Sequence, residues 1–591
     1  MARAATAGLE LDELGDFLAC EEDAIVLGGP GSGKTTAALV KANQEVGAAE
    51  WLPFERALFL SFARSTVARV AEAAEEIIDK QVRERVELTT YHAFAWRLIR
   101  SHGYLIQREP AIKLLPPHEA AVRLSNATRQ VKGEEIARQK DIERRRLLTE
   151  EGLLDFDLFA VLAAEILERS ECICRIASRR YPLIYLDEFQ DTNSAEYRLI
   201  KCLIRESRII ALADPEQRIY EFRGADPKRI EEFSKEFSPA TFDFAQRNHR
   251  SNGTDILDFA NDLLNGSNSE NDYNDVQIKV YPPRRGDEQH LWMKAAVLNA
   301  KNRLKDEMEI WSVGILVPTK RLMLAVSDFL LAEQEYNGRR FYSIKHEVGI
   351  DAEGPALAGV AIGRLMECSR ETCDEAARIF LDDLCGHIVG RKGGRAASQQ
   401  EAKLIDGLRN YLEKGRVQGS KRQRIVDDSM QIARQVATLE FTGDPYADWI
   451  TVRDIIGNAE SGEIRAIAWD ARYLRFLRKG TQLRTNLARL WRSNGTYAGT
   501  VEAVKNAFIE EHFVSKSQEP RGVHVLTMHR SKGKEFDEVI IYEGNHADRI
   551  VRRPNDDSVV AQARLSLRVA VSRARKRVTI LTPRQKRCEL L

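Results

Sequence analysis

The stretch AIVLGGPGSGKTT, residues 24–36, determines the fold class of this chain. Residues 24–27 form a short apolar run of the length expected for a buried strand, and residues 28–35 match the pattern G-x-x-x-x-G-K-[ST]. Glycine permits the tight turn whose N–H groups face a phosphate chain. The following AALVKANQEV favours a helix whose positive amino-terminal end adds to the anion site. The stretch therefore predicts a strand, a phosphate-binding loop and a helix.

The side chains of this loop have distinct expected roles. Lys34 is expected to reach the terminal phosphates, and the Thr35 hydroxyl is expected to ligate Mg²⁺. The predicted nucleotide-binding residues of the loop are Gly28, Gly29, Gly31, Ser32, Gly33, Lys34, Thr35 and Thr36.

A second apolar run supplies carboxylates of the kind a phosphate-binding loop needs. Residues 181–188, YPLIYLDE, favour a strand with Asp187 and Glu188 at its carboxyl end, where open α/β sheets bind ligands. We expect Asp187 to hold Mg²⁺ through water, and Glu188 to orient and deprotonate the attacking water. A helical stretch at 194–206 and the strand RIIALA at 208–213 complete a β–α–β unit of a parallel sheet.

Composition limits the class of protein. The chain has 591 residues, 89 Lys and Arg against 89 Asp and Glu, 43% apolar residues and eight cysteines. Such a composition is typical of an ordinary globular protein of several domains, and no run approaches about 18 apolar residues. The first residues lack the basic-then-apolar pattern of a secretory signal, so we expect no such leader. We expect a cytoplasmic protein with reduced thiols. Because the net charge is zero, any nucleic-acid binding must come from local basic patches.

Seven further segments occur in a recognisable order. They are LFLSFARSTVARV (58–70), TTYHAF (89–94), LDEFQDTN (186–193), ADPEQRIYEFRGAD (213–226), QRNHRSN (246–252), VHVLTMHRSKGKEFDEVII (523–541) and RVAVSRARKRVTIL (568–581). Together with the phosphate loop, this series resembles the motifs of superfamily 1A DNA helicases of the UvrD/Rep/PcrA type. The resemblance is strong in residues 24–260, 310–335 and 521–583 and weak elsewhere.

The resemblance implies an α/β fold with two RecA-like P-loop domains, each with a parallel sheet and a mainly helical inserted accessory domain. The expected first RecA-like domain comprises residues 1–104 and 179–245, with its insertion at 105–178. The expected second domain comprises residues 246–344 and 516–591, with its insertion at 345–515. The strands expected in the last segment are 523–528, 539–542 and 578–581.

The resemblance also implies ATP and Mg²⁺ as cofactors and single-stranded DNA or single-strand/duplex junctions as partners. It places Gln217, Arg250 and Arg573 at the γ-phosphate, where a guanidinium stabilises transition-state charge. Further nucleotide contacts implied are His249, Gly533 and Glu535. Stacking and phosphate contacts to DNA are implied for Phe62, Arg64, His92, Tyr220, Phe222, Arg223, Thr527 and His529. Gln190 and Asp191 would couple the nucleotide state to the DNA site.

Two departures from the family pattern concern the nucleotide base. Residues 1–27 contain no Gln to read an adenine edge, and His249 replaces a stacking Tyr. We therefore expect hydrolysis with a relaxed preference for adenine.

The inserted regions carry weaker signals. Residues 391–424 and 471–494 are basic clusters suited to a DNA backbone, with an acidic partner protein as the alternative. Residues 134–151 favour a solvated helix face, with duplex contact as the alternative. Phe94 is balanced between core and DNA platform. Cys368, Cys373, Cys385 and His387 lack zinc-site spacing and are expected to be structural.

Two functions remain open at this stage. One is an ATP-driven translocase and helicase of 3′–5′ polarity. The other is a DNA-sensing ATPase subunit that regulates a partner, for example a nuclease in anti-phage defence, with little unwinding.

Overall fold

A computed structural model gives the fold of the chain. The chain folds into two compact units. The first comprises Met1–Ile99, Ala160–Gly349 and Ser515–Leu591, and the second comprises Arg100–Phe159 and Ile350–Val514. The structure describes residues 11–591 except for 30, 62–63, 129–130, 132, 216–227, 245–252, 269–270, 283–285, 337, 350–352, 370–371, 392–397, 473–481, 514–519 and 545–547.

Twelve of the sixteen strands that the structure describes belong to two parallel sheets in the first unit. Their bounds are β1 Ala24–Leu27, β2 Ala57–Ser61, β3 Val86–Thr90, β4 Lys113–Leu114, β5 Leu153–Leu154, β6 Leu183–Leu186, β7 Arg208–Ala213, β8 Ala240–Asp243, β9 Val276–Tyr281, β10 Ser312–Val317, β11 Gln334–Tyr336, β12 Arg339–Phe341, β13 His346–Val348, β14 Gly522–Thr527, β15 Phe536–Tyr542 and β16 Ala574–Pro583.

Each large sheet has six strands. The first has the order β3-β2-β6-β7-β1-β8, and the second has the order β13-β14-β10-β15-β16-β9. Every neighbouring pair in both sheets is parallel. Parallel sheets are covered on both faces, so their strands are continuous apolar runs, and β2, β6 and β10 are buried along their whole length.

Helices cover these sheets and form most of the second unit. Their bounds are α1 Leu11–Ala19, α2 Lys34–Ala48, α3 Arg64–Ile77, α4 Lys80–Arg83, α5 Tyr91–His102, α6 Pro117–Ala127, α7 Glu135–Glu151, α8 Phe159–Arg169, α9 Glu171–Arg180, α10 Ser194–Leu203, α11 Arg229–Phe237, α12 Ile256–Asn265, α13 Leu291–Glu307, α14 Lys320–Leu331, α15 Glu353–Met366, α16 Cys373–Gly390, α17 Gln399–Lys414, α18 Ser420–Ala437, α19 Pro445–Gly457, α20 Gly462–Ala471, α21 Gln482–Asn494, α22 Thr500–Phe513 and α23 Asp557–Val571.

Each sheet has an apolar core of its own. One core joins β1, β6 and β7 to the helix after the phosphate loop, and its members include Val26, Leu39 and Ile210. The other joins β15 and β16 to α12 and α23, and its members include Ile541 and Leu567. These two α/β layers confirm the predicted fold class of two RecA-like domains with parallel sheets.

The second unit is built from both inserted regions. Its largest core lies among helices α15–α22 and contains Trp449, Phe380 and Leu408. The earlier insertion joins it through α6, since the Lys505 ammonium on α22 lies 2.5 Å from the Glu119 carboxylate on α6. The predicted domain boundaries stay a prediction.

Within the described ranges of the chain, none of the helices combines the length and apolar character needed to cross a bilayer.

Candidate nucleotide site

The phosphate loop lies between β1 and α2 and has the backbone that its glycines predict. Gly31 and Gly33 adopt left-handed φ angles of 75° and 85°, which side chains with a Cβ rarely adopt. Gly33 directly precedes α2 and has no side chain to cap it, so the helix presents its first N–H groups to the loop. Lys34, Thr35 and Thr36 form the first turn of α2. This arrangement suits a bound phosphate.

Lys34 folds back over the loop. Its Nζ donates to the carbonyl oxygens of Gly28 at 2.6 Å and Gly29 at 3.0 Å, and it lies 3.4 Å from the Ser32 hydroxyl. These acceptors are neutral, and a phosphate would offer the ammonium a charged acceptor instead. Lys34 is therefore positioned to move onto phosphates that enter the loop.

Asp187 and Glu188 follow strand β6 at its carboxyl end. The Ser61 hydroxyl, at the end of neighbouring β2, donates to Asp187 at 3.3 Å. Burial raises the pKa of Asp187, and the adjacent Glu188 charge raises it further, although Arg69 and Lys34 oppose the shift. A buried carboxyl of this kind beside a phosphate loop fits a hard divalent cation such as Mg²⁺.

Glu188 has an unusual backbone and an ionised side chain. Its φ of 54° lies in the left-handed region, which is uncommon for a residue other than glycine and frequent at functional sites. Burial acts to raise the pKa of Glu188, but the charges of Lys532, Lys34 and Arg573 outweigh burial and hold that pKa below its ordinary value. Glu188 is therefore a carboxylate at neutral pH, as an acceptor of a proton from water must be.

The second sheet contributes cations to the same place. The Lys532 ammonium, in the loop after β14, lies 3.6 Å from the Glu188 carboxylate and pairs closely with buried Asp191. Arg573 is buried just beyond α23, where its guanidinium donates to the Val569 carbonyl at 2.9 Å and the Ser572 hydroxyl at 3.0 Å. Because the charge of Arg573 acts on Glu188, groups from the two sheets converge on one site.

Gln190 connects the carboxylates to strand β7. Its Nε2 donates to Glu188 Oε2 at 2.6 Å, while its Oε1 accepts from the Asp214 backbone N–H at 3.0 Å. Burial raises the pKa of Asp191, although Lys532 opposes that shift. Gln190 and Asp191 thus lie between Glu188, the β7 terminus and the second sheet.

Glu535 makes an ion pair that spans the two sheets. Its carboxylate pairs with Arg69 on α3 and lies 3.4 Å from the Arg575 guanidinium on β16. Gly533, two residues earlier, adopts a left-handed φ of 74° that shapes this loop. Their predicted nucleotide contacts stay predictions.

Several predicted DNA contacts lie at the carboxyl ends of strands. His92 is half-buried in the first turn of α5, after β3. Thr527 ends β14 half-buried, and His529 follows it on the surface. Phe94, in contrast, is 1% exposed and packs edge-on to Tyr181 with ring centroids 5.9 Å apart, so it belongs to the core.

Some predicted residues lie outside the described part of the chain. These are Phe62, Gln217, Tyr220, Phe222, Arg223, His249 and Arg250, and the Arg64 side chain is likewise not described. Their roles stay predictions.

Three charged residues at this site were missed by sequence analysis. They are Arg69, Lys532 and Arg568, all placed in segments that resemble family motifs. Each segment contains several cations, and spacing alone does not tell which of them is buried. For Lys532, the sequence signal was its position between Ser531 and Gly533, shortly after the end of a predicted strand.

The fold and the site define a P-loop protein with two RecA-like sheets that meet at the phosphate loop. Two overlapping segments, residues 15–145 and 118–238, match the UvrD/REP helicase N-terminal domain family. These segments carry the phosphate loop, Asp187 and Glu188. Residues 15–238 thus match the N-terminal domain of the UvrD/REP helicase family, and the chain is similar to the PcrA and DNA helicase II proteins.

Named relatives agree with this assignment. The chain is 24% identical over 282 residues to the ATP-dependent DNA helicase PcrA of Staphylococcus aureus, covering 42% of this chain and 38% of the relative. It is 24% identical over 289 residues to PcrA of Leuconostoc citreum, covering 41% and 37%. It is 26% identical over 283 residues to DNA helicase II of Haemophilus influenzae, covering 41% and 38%. The chain therefore spans less than two fifths of the length of the curated relatives it matches.

Proposed function

We propose that this chain is an ATP-dependent single-stranded DNA translocase and DNA helicase of 3′–5′ polarity. The observation that carries the proposal is the convergence of the two sheets on one phosphate loop, with Lys34 and Glu188 from the first and Lys532 and Arg573 from the second. Nucleotide between two halves can move DNA only if the halves grip the strand unequally in each nucleotide state. The named relatives support the same activity.

Each residue at the loop has a proposed role in hydrolysis. Lys34 and the amino-terminal end of α2 bind the triphosphate, and Glu188 accepts a proton from the attacking water. Arg573 stabilises charge on the γ-phosphoryl group, with Gln217 and Arg250 as proposed helpers. Thr35 and Asp187 would hold Mg²⁺, which neutralises phosphate charge when bound.

The proposed DNA path runs over the carboxyl ends of the strands. His92, Thr527 and His529 follow or end strands at the carboxyl edges of the sheets, where open α/β sheets bind ligands. Phe62 and Arg64 are proposed to join them. Tyr220, Phe222 and Arg223 are proposed to complete this path. Aromatic faces in such a path bind bases without sequence preference.

Base selectivity forms a separate part of the proposal. Because residues 1–27 lack Gln and because His249 stands where the family has Tyr, we propose that ATP, GTP and CTP are hydrolysed with similar efficiency. A comparison of kcat/KM for the three nucleotides tests this point, and a strict requirement for ATP contradicts it.

The central experiment compares ATP turnover with and without single-stranded DNA for wild type and Glu188→Gln. We expect DNA to stimulate wild-type turnover and the variant to lose about 10²-fold or more, since it removes the proton acceptor. Arg198→Gln, at an exposed ion pair with Glu168, is the matched control and keeps wild-type turnover. Absence of DNA stimulation in wild type contradicts the proposal.

Unwinding distinguishes a motor from a switch. A duplex with a 3′ tail should be separated faster than one with a 5′ tail. DNA-stimulated turnover without separation of either duplex would instead assign the chain to the DNA-sensing class that regulates a partner such as a nuclease.

A further inference from the structure

Arg568 brings a second buried guanidinium of the carboxyl-terminal region to the phosphate loop. It lies on α23, about one and a half helical turns before Arg573, and it is 1% exposed. A methyl group placed on Gly29 would lie 3.9 Å from Arg568 Nη2. The guanidinium therefore lies beside the phosphate loop that follows β1.

Gly29 is flanked by two cations from different sheets. Its carbonyl accepts from Lys34 Nζ at 3.0 Å, while Arg568 approaches its Cα side. Two cations this close to a phosphate-binding loop repel one another in a buried setting, and an anion between them relieves that repulsion. The geometry thus presents two positive groups to whatever occupies the loop.

The carboxylate that faces Arg568 is held at a distance. Asp214 Oδ1, directly after β7, lies 3.9 Å from Arg568 Nη1, which is beyond hydrogen-bond length. The other terminal nitrogen of Arg568, Nη2, donates to Asn261 Oδ1 on α12 at 3.3 Å. The pair with Asp214 is electrostatic, so a phosphate oxygen within hydrogen-bond reach would compete with it effectively.

Arg568 and Arg573 face different parts of the site. The charge of Arg573 acts on Glu188, the proposed acceptor of a proton from water. Arg568 Nη2 lies beside Gly29, 3.9 Å from the position a methyl group on that glycine would take, within the loop that cradles the phosphates. Arg573 is thus placed to act on the transition state, whereas Arg568 is placed to act on bound nucleotide.

We propose that Arg568 binds the terminal phosphate of the nucleotide and leaves Asp214 when it does so. The exchange connects nucleotide occupancy to the end of β7, because the Asp214 backbone is hydrogen-bonded to Gln190, which is in turn bonded to Glu188. This inference rests on the proposed function, since it presupposes a triphosphate in the loop. It adds a residue that discriminates triphosphate from diphosphate.

The test measures the affinities of a non-hydrolysable ATP analogue and of ADP for wild type, Arg568→Gln, Arg568→Lys and Asp214→Asn. Arg568→Gln should weaken the analogue about 10- to 100-fold, the value of a charged hydrogen bond, with a much smaller effect on ADP. Arg568→Lys should retain part of the discrimination. Asp214→Asn should tighten binding of the analogue, because it removes the competing carboxylate.

Arg564→Gln is the matched control. Arg564 lies one turn earlier on α23, and its guanidinium donates to the Leu263 carbonyl rather than facing the loop. The Arg564→Gln variant should leave the affinities for the ATP analogue and for ADP, and the ratio of the two, unchanged. In steady-state turnover, Arg568→Gln should raise KM for ATP with little change in kcat, whereas Arg573→Gln should lower kcat.

Distinct results overturn the inference and the proposed function. If wild type hydrolyses ATP and Arg568→Gln alters ATP and ADP affinity equally or not at all, Arg568 is a structural residue and the inference fails alone. If wild type binds neither nucleotide, both fail. If circular dichroism shows that Arg568→Gln is unfolded, the ratio of ATP-analogue affinity to ADP affinity in Arg568→Lys and Asp214→Asn tests the inference instead.

Discussion

At the scale of single residues, Lys532 is the cation that most affects whether the carboxyl group of Glu188 is ionised. Its ammonium lies between the half-buried carboxylate of Glu188 and the buried carboxylate of Asp191. A buried ion pair contributes little net stability when it is intact, but removing one partner leaves an uncompensated charge. Lys532 is therefore the largest of the charges that keep Glu188 ionised.

Lys532→Met should raise the pKa of Glu188, because Lys532 is the foremost charge that lowers it. Turnover requires ionised Glu188 and is lost as pH falls through its pKa, so the acid limb of the rate profile should move to higher pH. Removal of one partner should also cost about 3–5 kcal/mol of stability. The pH dependence of kcat and thermal unfolding measure the two effects.

Lys534→Met, two residues along the same loop, is the control and should leave the pH profile unchanged. Asp191→Asn combined with Lys532→Met should recover much of the lost stability, since it removes the carboxylate left without its lysine. An acid limb at the wild-type position in Lys532→Met contradicts this account of Glu188.

At the scale of whole elements, three helices of the second unit, α6, α15 and α16, approach one another closely at two glycines. Gly386 and Gly390 lie one turn apart on α16, and a methyl group on either would lie 3.4–3.5 Å from Val122 on α6. At Gly390 it would also lie 2.4 Å from a methyl of Leu357 on α15. The glycines thus allow three helices to pack at short range.

Gly390→Val should destabilise the second unit by about 1–3 kcal/mol, because overpacking forces neighbouring side chains away from their preferred rotamers. Hydrogen exchange of α6, α15 and α16 measures the loss of protection. Gly415→Val is not a suitable control because Gly415 has a left-handed φ of 69°. Gly457→Ala, where a methyl group meets a side chain at an ordinary 3.6 Å, should leave protection unchanged.

His118 makes the packing of α6 against α22 sensitive to pH. Its ring is buried with its centroid 5.7 Å from that of Phe508. Burial lowers the pKa of His118 to about 4; the charge of Glu119 opposes this shift and that of Lys505 adds to it. The folded state therefore favours the neutral ring, and stability is lost as pH falls from about 6.5 toward 4.

Protonation of His118 should cost about 3 kcal/mol of folding stability, which corresponds to the difference between its pKa in the unfolded and folded states. Hydrogen exchange of α6 at pH 7.5 and 5 should show weaker protection at the lower pH after correction for intrinsic exchange. His118→Phe should remove most of this dependence, with His102→Phe, outside the α6–α22 contact, as the control. Equal protection at both values of pH in wild type contradicts the assignment.

The two sheets are coupled by ion pairs at the scale of the whole first unit. Arg69 on α3 pairs with Glu535 after β14, and both residues flank the nucleotide site. The charge of Arg69 also opposes the rise that burial and Glu188 cause in the pKa of Asp187. The pair therefore connects the second sheet to the carboxylate proposed to hold Mg²⁺.

A double-mutant cycle of Arg69→Ala and Glu535→Ala should show coupling in ATP turnover. Because the Arg69 side chain is 36% exposed, we expect a modest coupling of about 1 kcal/mol, or about fivefold in rate. The exposed pair Arg198 and Glu168 provides the control cycle, with no coupling in turnover. Additive effects of the Arg69 and Glu535 changes would show that the pair does not couple the sheets during turnover.

The polar residues of the last two strands show where sequence patterns mislead. The expected strands began at residues 539 and 578, but β15 begins at Phe536 and β16 at Ala574. Glu538 and Arg577 continue these strands because they pair with each other at 3.1 Å and with neighbours on α13. Charged residues can therefore lie within a buried strand when a partner from a distant part of the chain pairs with them, and a local sequence pattern does not reveal that partner.

The sequence by itself determined the phosphate loop, the carboxylate-bearing strand end and the two parallel sheets. These features depend on neighbouring residues: glycines that permit a turn, and apolar runs that must be buried. Only the tertiary structure decided which cations reach the site. The charges of Lys532, Arg568 and Arg69 act across hundreds of residues of chain, because electrostatic interaction depends on distance in space and on burial rather than on sequence separation.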